Sequence, residues 1–209
     1  LSPDGADDDG FVVTSIAAAA SVTSPDDAAS ATPTPEGEAS PTPTATVAAA
    51  PVEIHVYVDY LSSSAREWQL ANSAQLADWV AEGAATLTYH PVAMLTAKSN
   101  GTKYSLRAAS AAACVATYAP ASFFAFNDDL LTRQPAVDSD GFSDSVLADI
   151  AQANGGDDPK KLRECIETEA FASWVKAATE RAVAGIDGTD GLALTGTSLV
   201  TVNGQDYVG

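Results

Sequence analysis

Sulfur and imidazole are scarce in this chain. Its 209 residues hold two cysteines, Cys114 and Cys165, and two histidines, His55 and His90. Two cysteines are too few for a usual structural zinc site, and no His/Cys/Asp/Glu cluster has ligand spacing, so neither a metal nor a cofactor is expected. Basic residues are also few: 10 Lys and Arg stand against 28 Asp and Glu, a formal charge of −18. That balance repels phosphate backbones and anionic membrane surfaces and argues against nucleic acid, while leaving room for a basic protein partner. Apolar runs of about 18 residues or more are missing, so no membrane span is expected within the sequence. A Gly-x-Ser-x-Gly elbow is missing too, which removes the commonest setting for a serine hydrolase.

What is present falls into two parts. Residues 1–51 carry Asp4, Asp7, Asp8, Asp9, Asp26, Asp27, Glu36 and Glu38 and no Lys or Arg. From Ser21 to Pro51 the text is Ala, Thr, Ser and Pro without aromatics, as in "ATPTPEGEASPTPTATVAAAP". Such a stretch cannot bury enough surface to offset its ordering entropy, so it reads as a linker, partly polyproline-like. Ahead of it, "GFVVTSIA" predicts a short strand near 11–16. The remainder, 52–209, reads as one globular domain.

Within that domain "VEIHVYVDY" alternates, with Val52, Ile54, Val56 and Val58 on one face, and predicts a strand. A helix follows, opened by a Ser64–Glu67 capping box and closed at Gly83, with Trp68, Asn72, Leu76, Trp79 and Val80 along one face. "AATLTYHPV" predicts a second strand ending at Pro91. Four helices are then expected: an alanine-rich one holding Cys114, one over 121–134, one from Ser143 to Gly155, and one running from Pro159 to Gly185 and holding Cys165. "SLVTVNGQDYVG" predicts a last strand with an Asn203–Gly204 turn. The order gives an α/β fold with a helical insertion at about 102–185.

These motifs resemble the DsbA-like branch of the thioredoxin superfamily, in its exported or membrane-anchored actinobacterial form. That family runs from an Asp-aromatic strand end into Cys-Pro-x-Cys at a helix N-terminus. In "VYVDYLSSSA" Asp59 and Tyr60 match the Asp-aromatic pair, Ser62 stands on the first cysteine, Ser63 on the proline and Ala65 on the second cysteine, with Ser64 between them. Tyr89-His90-Pro91, "GTKYSLRAASAAACV", "LLTRQP" and "CIETEAFASWVKAAT" also fit, in order. Where the family has Gly-Thr-Pro before its last core strand, this chain has Gly196-Thr197-Ser198. The family's proline there is cis; because a cis bond without proline costs about 3–4 kcal/mol, the Thr197–Ser198 bond is expected to be trans. The family also continues with a further helix after that strand, whereas this sequence stops at Gly209.

The resemblance implies a thioredoxin-like domain and a structural disulfide between Cys114 and Cys165; the residues alone leave open two reduced thiols. A disulfide implies an oxidising, extracytoplasmic setting. Serine and alanine cannot replace an attacking and a resolving thiol. The expectation is therefore a protein that is not an enzyme: a redox-inactive binding or structural module in the cell envelope, with a protein partner, acting as an accessory subunit of a membrane or envelope complex and anchored, if at all, through a segment outside this sequence. The alternatives are a thiol–disulfide oxidoreductase that uses Cys114 and Cys165, and a ligand or peptide binder at the groove near Ser62 and Ser198. Ser62 as a hydrolase nucleophile is set aside for want of a base, and His90, before Pro91, reads as a packed strand-end residue.

Overall fold

The alternation in "VEIHVYV" is realised as β3 (Val52–Val58): Ile54, Val56 and Val58 are buried on one face of the sheet. The computed structural model describes residues 1–16 and 50–208; the Ala/Thr/Pro-rich linker lies outside the described residues. β3 leads into α1 (Ser63–Ala81), and α1 returns the chain to β4 (Ala85–Pro91), which runs parallel to β3 from Val52 opposite Ala85 to Val58 opposite Pro91. A parallel pair needs such a crossover. α1 ends in a Schellman turn: the Gly83 N–H bonds the Val80 carbonyl, the Ala84 N–H bonds the Trp79 carbonyl, and Gly83 takes φ +70°.

β1 (Ala6–Asp7) and β2 (Gly10–Val12) form a hairpin, and β2 pairs antiparallel with β4. The strand expected near 11–16 thus begins at Gly10 and stops at Val12. It belongs to the main sheet, and Phe11 fills a slot between Phe123 and Trp174 at centroid distances of 5.6 and 5.5 Å. β5 (Leu199–Val202) pairs antiparallel with β3, and β6 (Gln205–Asp206) closes a hairpin on β5 through Asn203–Gly204. The sheet order is β1-β2-β4-β3-β5-β6.

Between β4 and β5 lie α2 (Tyr104–Tyr118), a 3-10 turn at Pro120–Ser122, α3 (Phe123–Thr132), α4 (Asp144–Ala153), α5 (Pro159–Glu167) and α6 (Ala172–Ala184). α2 is buried on every side; Ala108, Ala109, Ala111, Ala112 and Ala113 are fully enclosed. Alanine suits this place, because it favours helix and lets neighbouring helices approach closely. The four expected helices are five, since the stretch from Pro159 to Gly185 is broken. Glu169 adopts φ +49°, the Ala170 N–H bonds the Cys165 carbonyl at 3.0 Å, and Phe171 turns into the core with its N–H on Ser110 Oγ at 3.2 Å. Burial of Phe171 outweighs continued helix periodicity here. The same turn leaves α5 against α2, where Cys114 and Cys165 form a disulfide with Cα atoms 5.9 Å apart.

Candidate functional site

The junction from β3 to α1 is pinned by one buried carboxylate. Asp59 is fully enclosed; its Oδ1 accepts the Leu61 N–H at 2.9 Å, and its Oδ2 accepts the Leu95 N–H at 2.8 Å and the Ser105 hydroxyl at 2.6 Å. Burial pushes this carboxyl above the ordinary Asp range, and the bonds from Ser105, Leu61 and Leu95 pull the other way. The three donors tie together the strand end, the loop after β4 and the start of α2. Tyr60, also enclosed, donates to Asn127 Oδ1 at 2.9 Å.

The helix is capped by Ser62, two residues ahead of the expected Ser64. Ser62 is extended (φ −82°, ψ 119°) and its Oγ accepts the Ala65 N–H at 3.3 Å. Ser64 points elsewhere: its hydroxyl and that of Ser62 both lie at donor distance from the Thr197 carbonyl, 2.5 and 2.8 Å away, and 3.1 Å from each other. The Ser62 carbonyl in turn accepts from Gln134 Nε2 at 2.9 Å. Ser63 is exposed on the first turn, and Ala65 is buried beneath it. The structure therefore gathers Ser62, Ser64, Thr197 and Ser198 at one place, although they are more than 130 residues apart in sequence.

One expectation needs correction: the Thr197–Ser198 bond is cis. The loop keeps the peptide geometry even though serine stands where the family has proline. Sequence reasoning also missed the Thr197 carbonyl, Ser105 and Gln134 as partners of this junction. Only Asp59, an acidic residue at the end of an apolar strand, carried a signal that something had to satisfy it.

The chemistry open to this cluster is limited. Each serine has one proton to donate, and both point it at the same carbonyl. Among the described residues neither histidine bonds Ser62; His55 and His90 bond each other, Nδ1 to Nε2 at 2.9 Å. The helix N-terminus supplies N–H groups and a favourable field for a thiolate, but no sulfur lies there. The chain's sulfur couple is Cys114–Cys165, with Cys114 fully buried and Cys165 6% exposed.

A strand that carries an Asp-aromatic pair into a helix N-terminus, faced by a cis peptide ahead of an antiparallel strand, defines the thioredoxin class of fold. The chain belongs to the thioredoxin family, which it matches over residues 42–200. Among solved structures it is similar to reduced DsbA from Mycobacterium tuberculosis (25% identity, TM-score 0.65, 76% of this chain and 75% of that one). It is also similar to the disulfide bond oxidoreductase DsbG of the same organism (26% identity, TM-score 0.65, 75% and 70% covered). MdbA, a thiol-disulfide oxidoreductase from Corynebacterium matruchotii, shares the fold at 18% identity, with a TM-score of 0.63 and 76% and 77% covered. No curated protein matches the chain. These likenesses correct the expectation that the chain is not an enzyme. That expectation rested on Ser62 and Ala65 in place of the cysteines and on Ser63 and Ser198 in place of the prolines, whereas the similar structures point to an oxidoreductase and this chain holds a formed disulfide of its own.

Proposed function

We propose that the protein is a thiol–disulfide oxidoreductase of the DsbA type, working outside the cytoplasmic membrane, whose exchanging couple is Cys114–Cys165. The observation that carries this reading is that the chain's two cysteines are joined, in a fold similar to that of disulfide oxidoreductases. The location follows from the bond itself, since disulfides persist in oxidising compartments. No helix among the described residues is long and apolar enough to cross a membrane.

The exchange is a two-electron transfer. A substrate thiolate attacks Sγ of Cys165, the less enclosed of the pair, and Cys114 leaves as a thiolate. A second substrate thiol attacks the mixed disulfide, leaving the substrate oxidised and both cysteines reduced. A disulfide-bearing partner in the membrane or envelope reoxidises the pair. Because both sulfurs sit between α2 and α5, α5 has to open before attack, so exchange is slower than at an exposed couple. The exposed Ser63 and Ser64, beside Ser198, offer a polar surface for the protein partner.

Trapping tests the step directly. With Cys114→Ser, the Cys165 thiolate attacks a peptide supplied as its disulfide-linked dimer, keeps one peptide as a mixed disulfide and releases the other as a thiol, seen as an added peptide mass that reducing agent removes. A Cys114→Ser protein that never acquires that mass from the peptide's disulfide form contradicts the reading.

A further inference from the structure

The helix that carries Cys165 is short, and its attachments sort by face. α5 buries Leu162, Cys165 and Ile166 along its inner side, and Cys165 is bonded to Cys114 of α2. Both ends of the helix are joints. Gly155 and Gly156 precede it with φ +108° and +140°, a region open to glycine at little cost, and Glu169 follows it with φ +49°. A helix of about two and a half turns between two such joints moves as a unit.

Its polar attachments lie on the other face. Among the described residues, the side-chain hydrogen bonds from α5 to another helix all run to α4. Arg163 Nη2 donates to Asp149 Oδ1 and to Gln152 Oε1, the latter at 2.8 Å, while its Nη1 donates to Glu167 Oε1 within α5 at 2.8 Å. Gln152 Nε2 donates in turn to the Pro159 carbonyl at the start of α5, also at 2.8 Å. Arg163–Asp149 is the one ion pair that joins α5 to another helix among the described residues.

Arg163 and Cys165 stand two residues apart, about 200° around the helix. The guanidinium therefore grips α4 while the sulfur meets α2. Cys165 is 6% exposed, so a thiolate reaches its Sγ only after α5 moves. α5 is tethered to α2 by the very bond under attack. The movement that uncovers the sulfur is then a swing of α5 away from α4, and Arg163 opposes it.

We propose that Arg163 is a positioning residue for the exchange: its pair with Asp149 latches α5 to α4 and sets how often Cys165 is uncovered. Its catalytic meaning rests on the exchange proposed above. The latch touches neither sulfur, so it governs access and leaves the thiol chemistry alone.

The test is the rate at which dithiothreitol reduces the oxidised full chain, read by acid quench, alkylation and intact mass. The rate is taken where it is proportional to dithiothreitol, so that it reports the opening equilibrium. Arg163→Gln and Asp149→Asn each speed reduction roughly threefold, and the double variant goes no further than Arg163→Gln alone, because one contact is lost in both. Raising NaCl from about 0.02 M to about 0.5 M speeds the wild type similarly and leaves Arg163→Gln unaltered. Lys161→Gln, which removes only the pair with Asp158 at the helix cap, leaves the rate unaltered. A merely structural role would tie every rate to global unfolding; the latch gives faster reduction with a much shallower urea dependence than unfolding has. Wild-type rates in both single variants, equal salt responses in wild type and Arg163→Gln, or a urea dependence as steep as that of unfolding overturns the proposal. Oxidation of a dithiol peptide by the wild type separates the two readings. Faster reduction of the variants without peptide turnover keeps the latch and removes the exchange, and turnover with unaltered variants does the reverse.

Discussion

The Ser62 hydroxyl lies 2.8 Å from the Thr197 carbonyl, joining the start of α1 to the cis peptide loop across 135 residues of sequence. The same oxygen caps the helix through the Ala65 N–H. Ser62→Ala therefore removes a cap and a tertiary bond together, and costs about 1–3 kcal/mol. Ser64→Ala, at an exposed position with no capping role, costs under about 1 kcal/mol. Urea unfolding of the two variants gives the comparison; equal losses would contradict the assignment of Ser62 as the cap.

The scaffold around Ser62 still has a thiolate-stabilising geometry. Ser62→Cys with Ala65→Cys places two thiols three residues apart at a helix N-terminus, where a thiol's pKa falls below about 8. The double variant should gain insulin-reducing activity well above that of the wild type, with one thiol alkylated rapidly at neutral pH. No gain, in a protein shown by circular dichroism to be folded, would mean that the junction does not present its first turn to substrate.

Asp59 is the point on which three elements converge. Asp59→Ala strands the Leu61 and Leu95 amides and the Ser105 hydroxyl in a buried site, a loss of about 3 kcal/mol or more. Asp59→Asn restores a single acceptor oxygen and should recover part of it. Melting temperatures in the order wild type, Asn, Ala check this.

Much of this architecture is legible in the sequence, and the failures have physical causes. The alternation of Ile54, Val56 and Val58, the Pro91 strand end and the Asn203–Gly204 turn are local signals, and local signals place β3, β4 and the last hairpin. The cap was misread as Ser64 because Ser-x-x-Glu is a local pattern, whereas Ser64 is drawn away by Thr197, a partner no local pattern reveals. The break at Glu169 depends on a pocket for Phe171 made by other helices. The cis bond at Thr197–Ser198 carries no local signal, because serine stands where the resembled family has proline. The pairing of His55 with His90 depends on strand register, since Tyr57 stands opposite His90 only once β3 and β4 are parallel. Trp79, on the same face of α1 as the buried Leu76, is 41% exposed, because it lines an open groove with Trp68 and Asn72.

Acid should act on the histidine pair. Burial, followed by the neighbouring His55, lowers His90 from 6.5 to about 4. A base whose folded value lies below its unfolded one gives no pH dependence above about 6.5, where neither state is protonated. As pH falls from about 6.5 to about 4 the unfolded chain takes up the proton first, and the folded state loses up to about 3 kcal/mol. Asp59 works in the opposite direction, because its raised carboxyl favours the folded state as acid neutralises it. Histidine NMR separates the two: one Cε1–H signal should titrate near 4. Two signals that both titrate near 6.5 would contradict a buried neutral His90.

The disulfide closes a loop with a sequence separation of 51 residues, a constraint of about 4 kcal/mol in the chain-entropy view. Urea unfolding of oxidised and reduced protein should differ by about that amount, and intact mass should rise by about 2 Da on reduction, one hydrogen per cysteine. An unaltered unfolding midpoint would mean that α5 holds to α2 without the bond.

The central claim, exchange through Cys114–Cys165, is tested most directly by turnover. Wild type and a Cys114→Ser/Cys165→Ser variant are each given a reduced dithiol peptide and oxidised glutathione, and oxidised peptide is measured over time. Catalysed oxidation by the wild type that disappears in the double variant and survives in Ser62→Ala is the predicted result. A wild-type rate equal to the uncatalysed reaction would contradict it.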